Sequence, residues 1–174
     1  ANAAKLVEKY RDLNLVKKAL EETKAAWKKR IISNITIKTP DNDFDNMVNI
    51  WVKYQVYICN LWSRSPSFYH EGSGGRGYRD SCQDSEAICS INHELTRKRI
   101  LHIASLIRKE GTSAPGWSDT TGPATHRPNK DHQIWLTATV RAYIQETGDK
   151  DILKEYVPYL KDKWLGGWDI DPNH

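Results

Sequence analysis

Segments with helical hydrophobic periodicity alternate with two polar loops of nearly twenty residues, and this alternation restricts the fold more than any other feature of the chain. In residues 4–31 apolar side chains recur every three or four positions, which is typical of an amphipathic helix. The same spacing returns in residues 44–62, 82–109 and 131–147. Strand-like alternation is confined to residues 31–38, just before Pro40. The sequence therefore predicts an all-α protein with two long loops.

Capping residues mark several predicted helix ends. The capping residues Asp12 and Asn14 indicate a break in the first helix, and the carboxylates at positions 41–45 can cap the second. Gly148 suits the left-handed position after a helix, and Asp149 or Asp151 can open a short helix that runs toward Leu160.

The first long loop, residues 63–81, combines four glycines with Arg64, Arg76 and Arg79. Residues 72–77 formally match the dinucleotide fingerprint GxGxxG, but the surroundings are helical and the loop lacks the lysine of a phosphate-binding P-loop. Guanidinium groups around a glycine-rich turn suit an oxyanion such as phosphate. The loop is therefore a candidate anion site.

Polar partners for sugar hydroxyls follow the same arginines. They are Asp80, Gln83 and Asp84, whose side chains can act as paired donors and acceptors toward a sugar. The alternative is that Arg79 and Asp80 pair locally while the glycines only turn the chain. Spacing alone leaves both interpretations open.

The second long loop, residues 111–129, leads to Asp131 and His132 at a predicted helix start. Asp131 can be a simple N-cap or a ligand contact, and the sequence favours neither. Trp135 can be a stacking platform, although its helical position beside Ile134 favours the core.

Charge and composition exclude several classes of function. The net charge is +4, but residues 1–40 carry +6 and the remainder −2, and the basic segment interleaves lysine with glutamate. That pattern is typical of a solvated helix face, and it predicts no nucleic-acid partner. No apolar run is long enough to span a membrane. The three cysteines lack CxxC spacing and the six histidines lack HExxH spacing, so we expect a reduced, cytoplasmic protein without zinc or another metal.

Several motifs, taken in order, resemble the cellobiose phosphorylase family, glycoside hydrolase family 94. They cover roughly residues 20–165 and include Met47-Val48-Asn49-Ile50-Trp51, Trp62-Ser63-Arg64-Ser65, Gly75-Arg76-Gly77-Tyr78-Arg79-Asp80 with Gln83-Asp84, and Asp131-His132-Gln133-Ile134-Trp135. The resemblance implies an (α/α)6 barrel preceded by a helical linker. This chain would hold the linker in residues 1–37 and the N-terminal part of the barrel in residues 38–174, so we expect an incomplete chain.

The resemblance also implies roles for individual residues. Arg64 would bind phosphate or the neighbouring sugar, and Arg76 and Asp80 would hold the donor glucose. Arg76 and Asp80 are closer together here than is usual in the family. Either Arg76 or Arg79 could therefore take the sugar role.

The implied reaction is phosphorolysis of a β-linked glucosyl disaccharide or oligosaccharide by inorganic phosphate, with inversion, to give α-glucose 1-phosphate. It needs no cofactor, with phosphate as co-substrate. The family's general acid lies in an Asp-Trp-Asn-Asp motif that this chain lacks, so we expect the catalytic acid to lie outside these 174 residues. We expect the remainder of the same enzyme, in a homodimer, as partner. A hydrolase on the same barrel and a noncatalytic sugar-binding helical module are the rival interpretations.

Overall fold

The structure is a computed structural model that describes residues 3–32, 35–63, 75–118, 122–123 and 131–161. It is mostly helical, which confirms the predicted all-α class. The chain divides into two compact units, residues 1–54 and residues 55–174. The predicted boundary between linker and barrel at residue 37 stays a prediction.

The first unit contains the predicted break in the N-terminal helix. Helix α1 spans Ala3–Lys9 and α2 spans Leu13–Ile32. Between them the Asp12 carboxylate accepts a hydrogen bond from the backbone N–H of Asn14 at 2.8 Å. This short-range bond offers the backbone an alternative to the helix, which explains the interruption.

The next helical stretch begins at the predicted carboxylates. Helix α3 spans Asn42–Asn46, a π-helical segment spans Met47–Val52, and α4 spans Lys53–Trp62. Asp41 is the N-cap of α3, and its side chain accepts from the backbone N–H groups of Asp43 and Phe44. These bonds satisfy donors that have no partner within the helix.

A buried lysine lies at the centre of the first unit. Lys53 is 7% exposed, and its ammonium donates to the carbonyl of Ile31 at 3.0 Å and to that of Ile35. Burial lowers the pKa of Lys53, because the charged form loses hydration. Lys53 therefore supplies a partner for a carbonyl at the end of α2, where helical carbonyls lack intrahelical donors.

Three helices form the second unit together with the end of α4. Helix α5 spans Tyr78–Ile88, α6 spans His93–Ala104 and α7 spans His132–Thr147. All three pack on one another around two hydrophobic clusters. The buried members are Tyr78, Cys82, Ile103, Leu106, Ala114 and Trp117 in one cluster, and Cys89, Ile100, Tyr143 and Ile152 in the other.

Helix α7 ends as the sequence predicts. Gly148 follows it with φ +72°, the left-handed conformation that glycine adopts at no steric cost. A 3₁₀ turn, Asp151–Lys154, then begins where Asp149 accepts from the backbone N–H of Asp151 at 3.0 Å. The predicted helix toward Leu160 was therefore wrong in length, since the turn stops at Lys154.

A small sheet replaces part of the two predicted loops. Strands β1 (Arg76–Gly77), β2 (Gly116–Ser118) and β3 (Gly122–Pro123) pair antiparallel in that order. The prediction of loop throughout residues 111–129 was wrong for β2 and β3. Strand β2 was missed because it pairs with β1, about forty positions earlier in the sequence, which local patterns do not encode. Strand β3 was missed because its two residues, Gly122 and Pro123, are typical of turns.

The ends of α5 and α6 also differ from the prediction. Helix α5 begins at Tyr78 rather than residue 82, because the extended Gly77 precedes it and the Tyr78 N–H donates to the carbonyl of Pro115 at 2.9 Å. Helix α6 ends at Ala104 rather than residue 109. After it the chain folds back on itself, and the Arg108 N–H donates to the carbonyl of Thr112 at 2.7 Å.

Candidate functional site

The start of α5 holds two of the predicted site residues on a rigid element. Arg79 and Asp80 lie in the first helical turn rather than in the loop to which the sequence assigned them. A carboxylate in this position is favoured by the positive end of the helix dipole. The helical turn therefore fixes the spacing of the guanidinium and the carboxylate.

Two glycines make this start possible. A Cβ added at Gly77 would lie 2.9 Å from Oδ2 of Asp80, so glycine lets the carboxylate approach the backbone. A Cβ added at Gly116 would lie 2.3 Å from the carbonyl oxygen of Arg76 across the β1–β2 pair. A side chain at Gly77 would have to displace the Asp80 carboxylate, and a side chain at Gly116 would have to displace strand β1.

The remaining predicted residues of α5 differ in exposure. Gln83 is exposed, like Arg79, whereas Asp80 is half-buried and Asp84 is buried. Residues four apart lie on the same side of a helix, so Asp84 follows Asp80 and Gln83 follows Arg79. Arg79 and Gln83 are thus presented to solvent, while Asp84 is held inside the second unit.

Arg76 is engaged by the protein itself. Its guanidinium donates to the backbone carbonyl of Leu61 near the end of α4 and lies 6.0 Å from the ring of Trp117. Arg99 of α6 makes a matching pair of contacts, to the carbonyl of Asn60 at 3.0 Å and to Trp117 at 5.6 Å. Two arginines therefore connect the last turn of α4 to one buried indole.

The first residues of α7 carry charge beside Arg79. Asp131 occupies the N-cap position but makes no side-chain capping bond; its Oδ2 instead accepts from Nε1 of Trp135 at 2.9 Å. That hydrogen bond lowers the pKa of Asp131, and the positive charge of Arg79 lowers it further. Asp131 is exposed and stays ionised at neutral pH.

His132 is the buried member of this group. Its ring stacks on Tyr78, and its Nδ1 lies 3.3 Å from Oγ of Ser113. Burial lowers the pKa of His132; Asp131 and Asp80 act against that shift, and Arg79 adds to it. Arg79 and Asp80 directly follow Tyr78 on α5, and Asp131 directly precedes His132 on α7, so the Tyr78–His132 stack brings the two helix starts together. We call Arg79, Asp80, Asp131 and His132 the α5–α7 cluster.

The sequence pattern found part of this cluster. It singled out Arg79 and Asp80, and it placed Asp131 and His132 at a helix start, with Asp131 as either an N-cap or a ligand contact. Trp117, whose ring contacts two guanidinium groups, lies in a segment without hydrophobic periodicity. The only sequence feature that pointed to it was a tryptophan next to a glycine. Arg64 lies outside the described residues.

The described ranges contain neither a candidate metal site nor a candidate membrane-spanning helix. Within them no group of three His, Cys, Asp or Glu side chains is arranged to hold a metal ion. Across that same part of the chain no helix is both long and apolar enough to cross a bilayer. Cys59, Cys82 and Cys89 all lie within the described ranges, and none of them forms a disulfide bond.

Comparison with known proteins assigns the chain to a family. Residues 26–165 match the profile described as Glycosyl hydrolase 94 superfamily, catalytic domain. The chain is 32% identical to an N,N'-diacetylchitobiose phosphorylase of Vibrio proteolyticus over 91% of its own length and 23% of the relative's. It is 34% identical to the cyclic beta-(1,2)-glucan synthase NdvB of Rhizobium meliloti, strain 1021, over 82% of its own length and 5% of the relative's.

A third relative is a solabiose phosphorylase of Paenibacillus borealis, 32% identical over 78% of this chain and 16% of the relative. The chain thus spans less than a quarter of the length of each of these three proteins. The matched profile covers most of the 174 residues, including α5, α6, α7 and the α5–α7 cluster. The chain therefore belongs to the glycosyl hydrolase 94 superfamily, as part of its catalytic domain.

Proposed function

We propose that this chain is the part of an inverting glycoside phosphorylase that binds the donor glucose. The enzyme would cleave a β-linked glucosyl disaccharide or oligosaccharide with inorganic phosphate and give α-glucose 1-phosphate. The observation that carries the proposal is the α5–α7 cluster: an exposed guanidinium and a half-buried carboxylate on one helical turn, beside a second ionised carboxylate. Paired donors and acceptors in a fixed geometry suit the hydroxyls of a sugar ring.

Within that cluster we assign the sugar contacts to Arg79 and Asp80. The alternative donor, Arg76, already donates to the carbonyl of Leu61 and lies against Trp117. Moving Arg76 onto a sugar would leave a helix-end carbonyl without that donor. Gln83 follows Arg79 along the exposed side of α5 and extends the polar surface, whereas the buried Asp84 supports it from inside.

The chemistry follows from inverting glycoside cleavage with phosphate in place of water. A carboxylic acid protonates the departing glycosidic oxygen while phosphate attacks the anomeric carbon from the opposite face. Phosphate is already an anionic nucleophile, so a general base is dispensable and the positioning of the anion gains importance. We expect Arg64 to bind the phosphate. Phosphate is a co-substrate in this reaction, and we expect no cofactor.

The general acid and the acceptor site belong to the remainder of the enzyme in this proposal. Residues 1–174 contain no Asp-Trp-Asn-Asp stretch, so we expect the acid to come from elsewhere in the full enzyme. We further propose that the enzyme is a cytoplasmic homodimer with glycosyltransferase-type chemistry. The phosphorylase names of two of the relatives support the use of phosphate.

Two assays test the proposal. Calorimetry on the purified chain should detect glucose binding in the wild type and a loss of binding in Asp80→Ala, with Asp43→Ala of the exposed α3 as the matched control. Equal weak binding in all three proteins would instead favour a noncatalytic helical module.

The second assay follows turnover. The 174-residue chain alone should release no phosphate from glucose 1-phosphate and a glucose-type acceptor, and release clearly above background would contradict the assignment of the acid. In the full enzyme, cleavage of β-glucosyl disaccharides should require inorganic phosphate. Cleavage at the same rate without phosphate would identify a hydrolase.

A further inference from the structure

We propose that His132 is a positioning residue for the Arg79–Asp80 pair, and that it makes sugar binding by this pair sensitive to acid. The inference rests on the proposed function of the pair. His132 is only 3% exposed, so it acts on the pair from inside the protein and does not need to touch the sugar. Its role is to hold the first turn of α5 against the first turn of α7.

The ring contact with Tyr78 is the first support. The centroids of the two rings are 5.1 Å apart and their planes differ by 7°, so the imidazole lies flat against the phenol. Tyr78 is the first residue of α5 and directly precedes Arg79, and its side chain is fully buried. A stacked pair of buried rings restricts both the distance and the rotation of the helix start.

The hydrogen bond to Ser113 is the second support. Ser113 is fully buried and pairs with Ile107 in an isolated β-bridge, where the chain folds back after α6. Its Oγ lies 3.3 Å from Nδ1 of His132. A neutral imidazole with its proton on Nε2 accepts this bond at Nδ1, whereas a protonated ring would have to donate there. One ring thus connects α5, α7 and the turn after α6.

The charges that face His132 connect this geometry to pH. They are Arg79 and Asp80 on α5 and Asp131 at the start of α7, with the Tyr78 phenol against the ring. The pKa of His132 lies below its ordinary value, chiefly because the ring is buried. The ring is therefore neutral at neutral pH. Acid would introduce a buried cation next to Arg79, and the protonated ring could only donate, not accept, at Nδ1 toward Ser113.

Glucose binding to the full 174-residue chain, measured by calorimetry between about pH 7.5 and about pH 5.5, tests this inference. Wild-type affinity should fall as the pH is lowered. His132→Gln can still accept a hydrogen bond but does not titrate. It should bind about three- to tenfold more weakly at the higher pH, because it loses the ring contact with Tyr78, and its pH profile should be flat. The control His93→Gln, at an exposed position on α6, should keep the wild-type profile.

An acid-dependent profile that survives in His132→Gln, or a flat profile in the wild type, would overturn the inference. If the wild type binds no glucose at any pH, the proposed sugar role of this chain fails, and a second measurement still tests the coupling. The imidazole resonance of His132, identified by its absence in His132→Gln, can be titrated in Arg79→Met and Asp80→Asn. Its midpoint should rise in the first variant and fall in the second, since Arg79 lowers and Asp80 raises its pKa. Midpoints unchanged in both variants would contradict the proposed coupling.

Discussion

Replacing Arg76 by methionine should reduce stability, whereas replacing Arg79 by methionine should reduce sugar binding. Arg76 donates a charge-assisted hydrogen bond to the Leu61 carbonyl and lies 6.0 Å from the Trp117 ring. Such a bond contributes about 1.5–3 kcal/mol and an exposed cation–π contact about 0.5–1 kcal/mol. Arg76→Met should therefore lower the free energy of unfolding by about 2–4 kcal/mol. Urea unfolding followed by far-UV circular dichroism measures this loss.

Arg79→Met should show the opposite pattern. The side chain is exposed, so its removal should change the free energy of unfolding by no more than about 0.5 kcal/mol. The loss of a charge-assisted bond to a sugar hydroxyl should weaken glucose binding by about 10- to 100-fold in calorimetry. Arg141→Met, at another exposed position in the second unit, is the control for loss of charge.

The reverse result would refute this reasoning. If Arg76→Met is as stable as the wild type but binds glucose poorly, while Arg79→Met binds normally, Arg76 is the sugar ligand. The contacts of Arg76 with Leu61 and Trp117 would then have no energetic importance.

Three further changes have outcomes that follow from single contacts. Tyr78→Phe removes a buried hydroxyl that has no hydrogen-bond partner within the described ranges. In urea unfolding the variant should therefore be as stable as the wild type, or more stable by about 1 kcal/mol. A free energy of unfolding more than about 1 kcal/mol below that of the wild type would show that the hydroxyl has a partner. Gly116→Ala should destabilise the chain by about 1–3 kcal/mol, because the new methyl meets the carbonyl of Arg76, and a neutral result would contradict the close β1–β2 approach. Asp149 accepts from the Tyr143 hydroxyl, which lowers the carboxyl pKa, so its contribution to stability is present above its ordinary pKa and is lost as the pH falls below that value. Unfolding of Asp149→Asn should depend less on pH in this acid range than the wild type, and identical pH dependence would show that Asp149 contributes nothing.

Helix existence could be predicted from the sequence because it depends on local spacing. The break before α2, the Asp41 cap and the Gly148 end each depend on residues within a few positions of the helix end. Helix boundaries that depend on distant partners could not. The start of α5 depends on the carbonyl of Pro115, nearly forty positions later in the chain, and no window of local sequence contains that information.

The candidate site was predictable to a similar extent. Arg79 and Asp80 stood out because guanidinium groups around a glycine-rich turn suit an anion, and a neighbouring carboxylate adds an acceptor for sugar hydroxyls. The stacking of His132 on Tyr78 could not be predicted, since it joins two helix starts more than fifty residues apart. The engagement of Arg76 with Leu61 was also out of reach, because a guanidinium in a glycine-rich loop is compatible with either a ligand or a backbone carbonyl.

A glucose titration of the ¹⁵N-labelled chain, with and without inorganic phosphate, shows whether the first turns of α5 and α7 hold the donor sugar. Glucose should shift the backbone amide resonances of Arg79, Asp80 and His132 in a saturable manner, and Asp80→Ala should abolish the shifts. Saturable shifts confined to other residues, or shifts that persist in Asp80→Ala, would contradict the account.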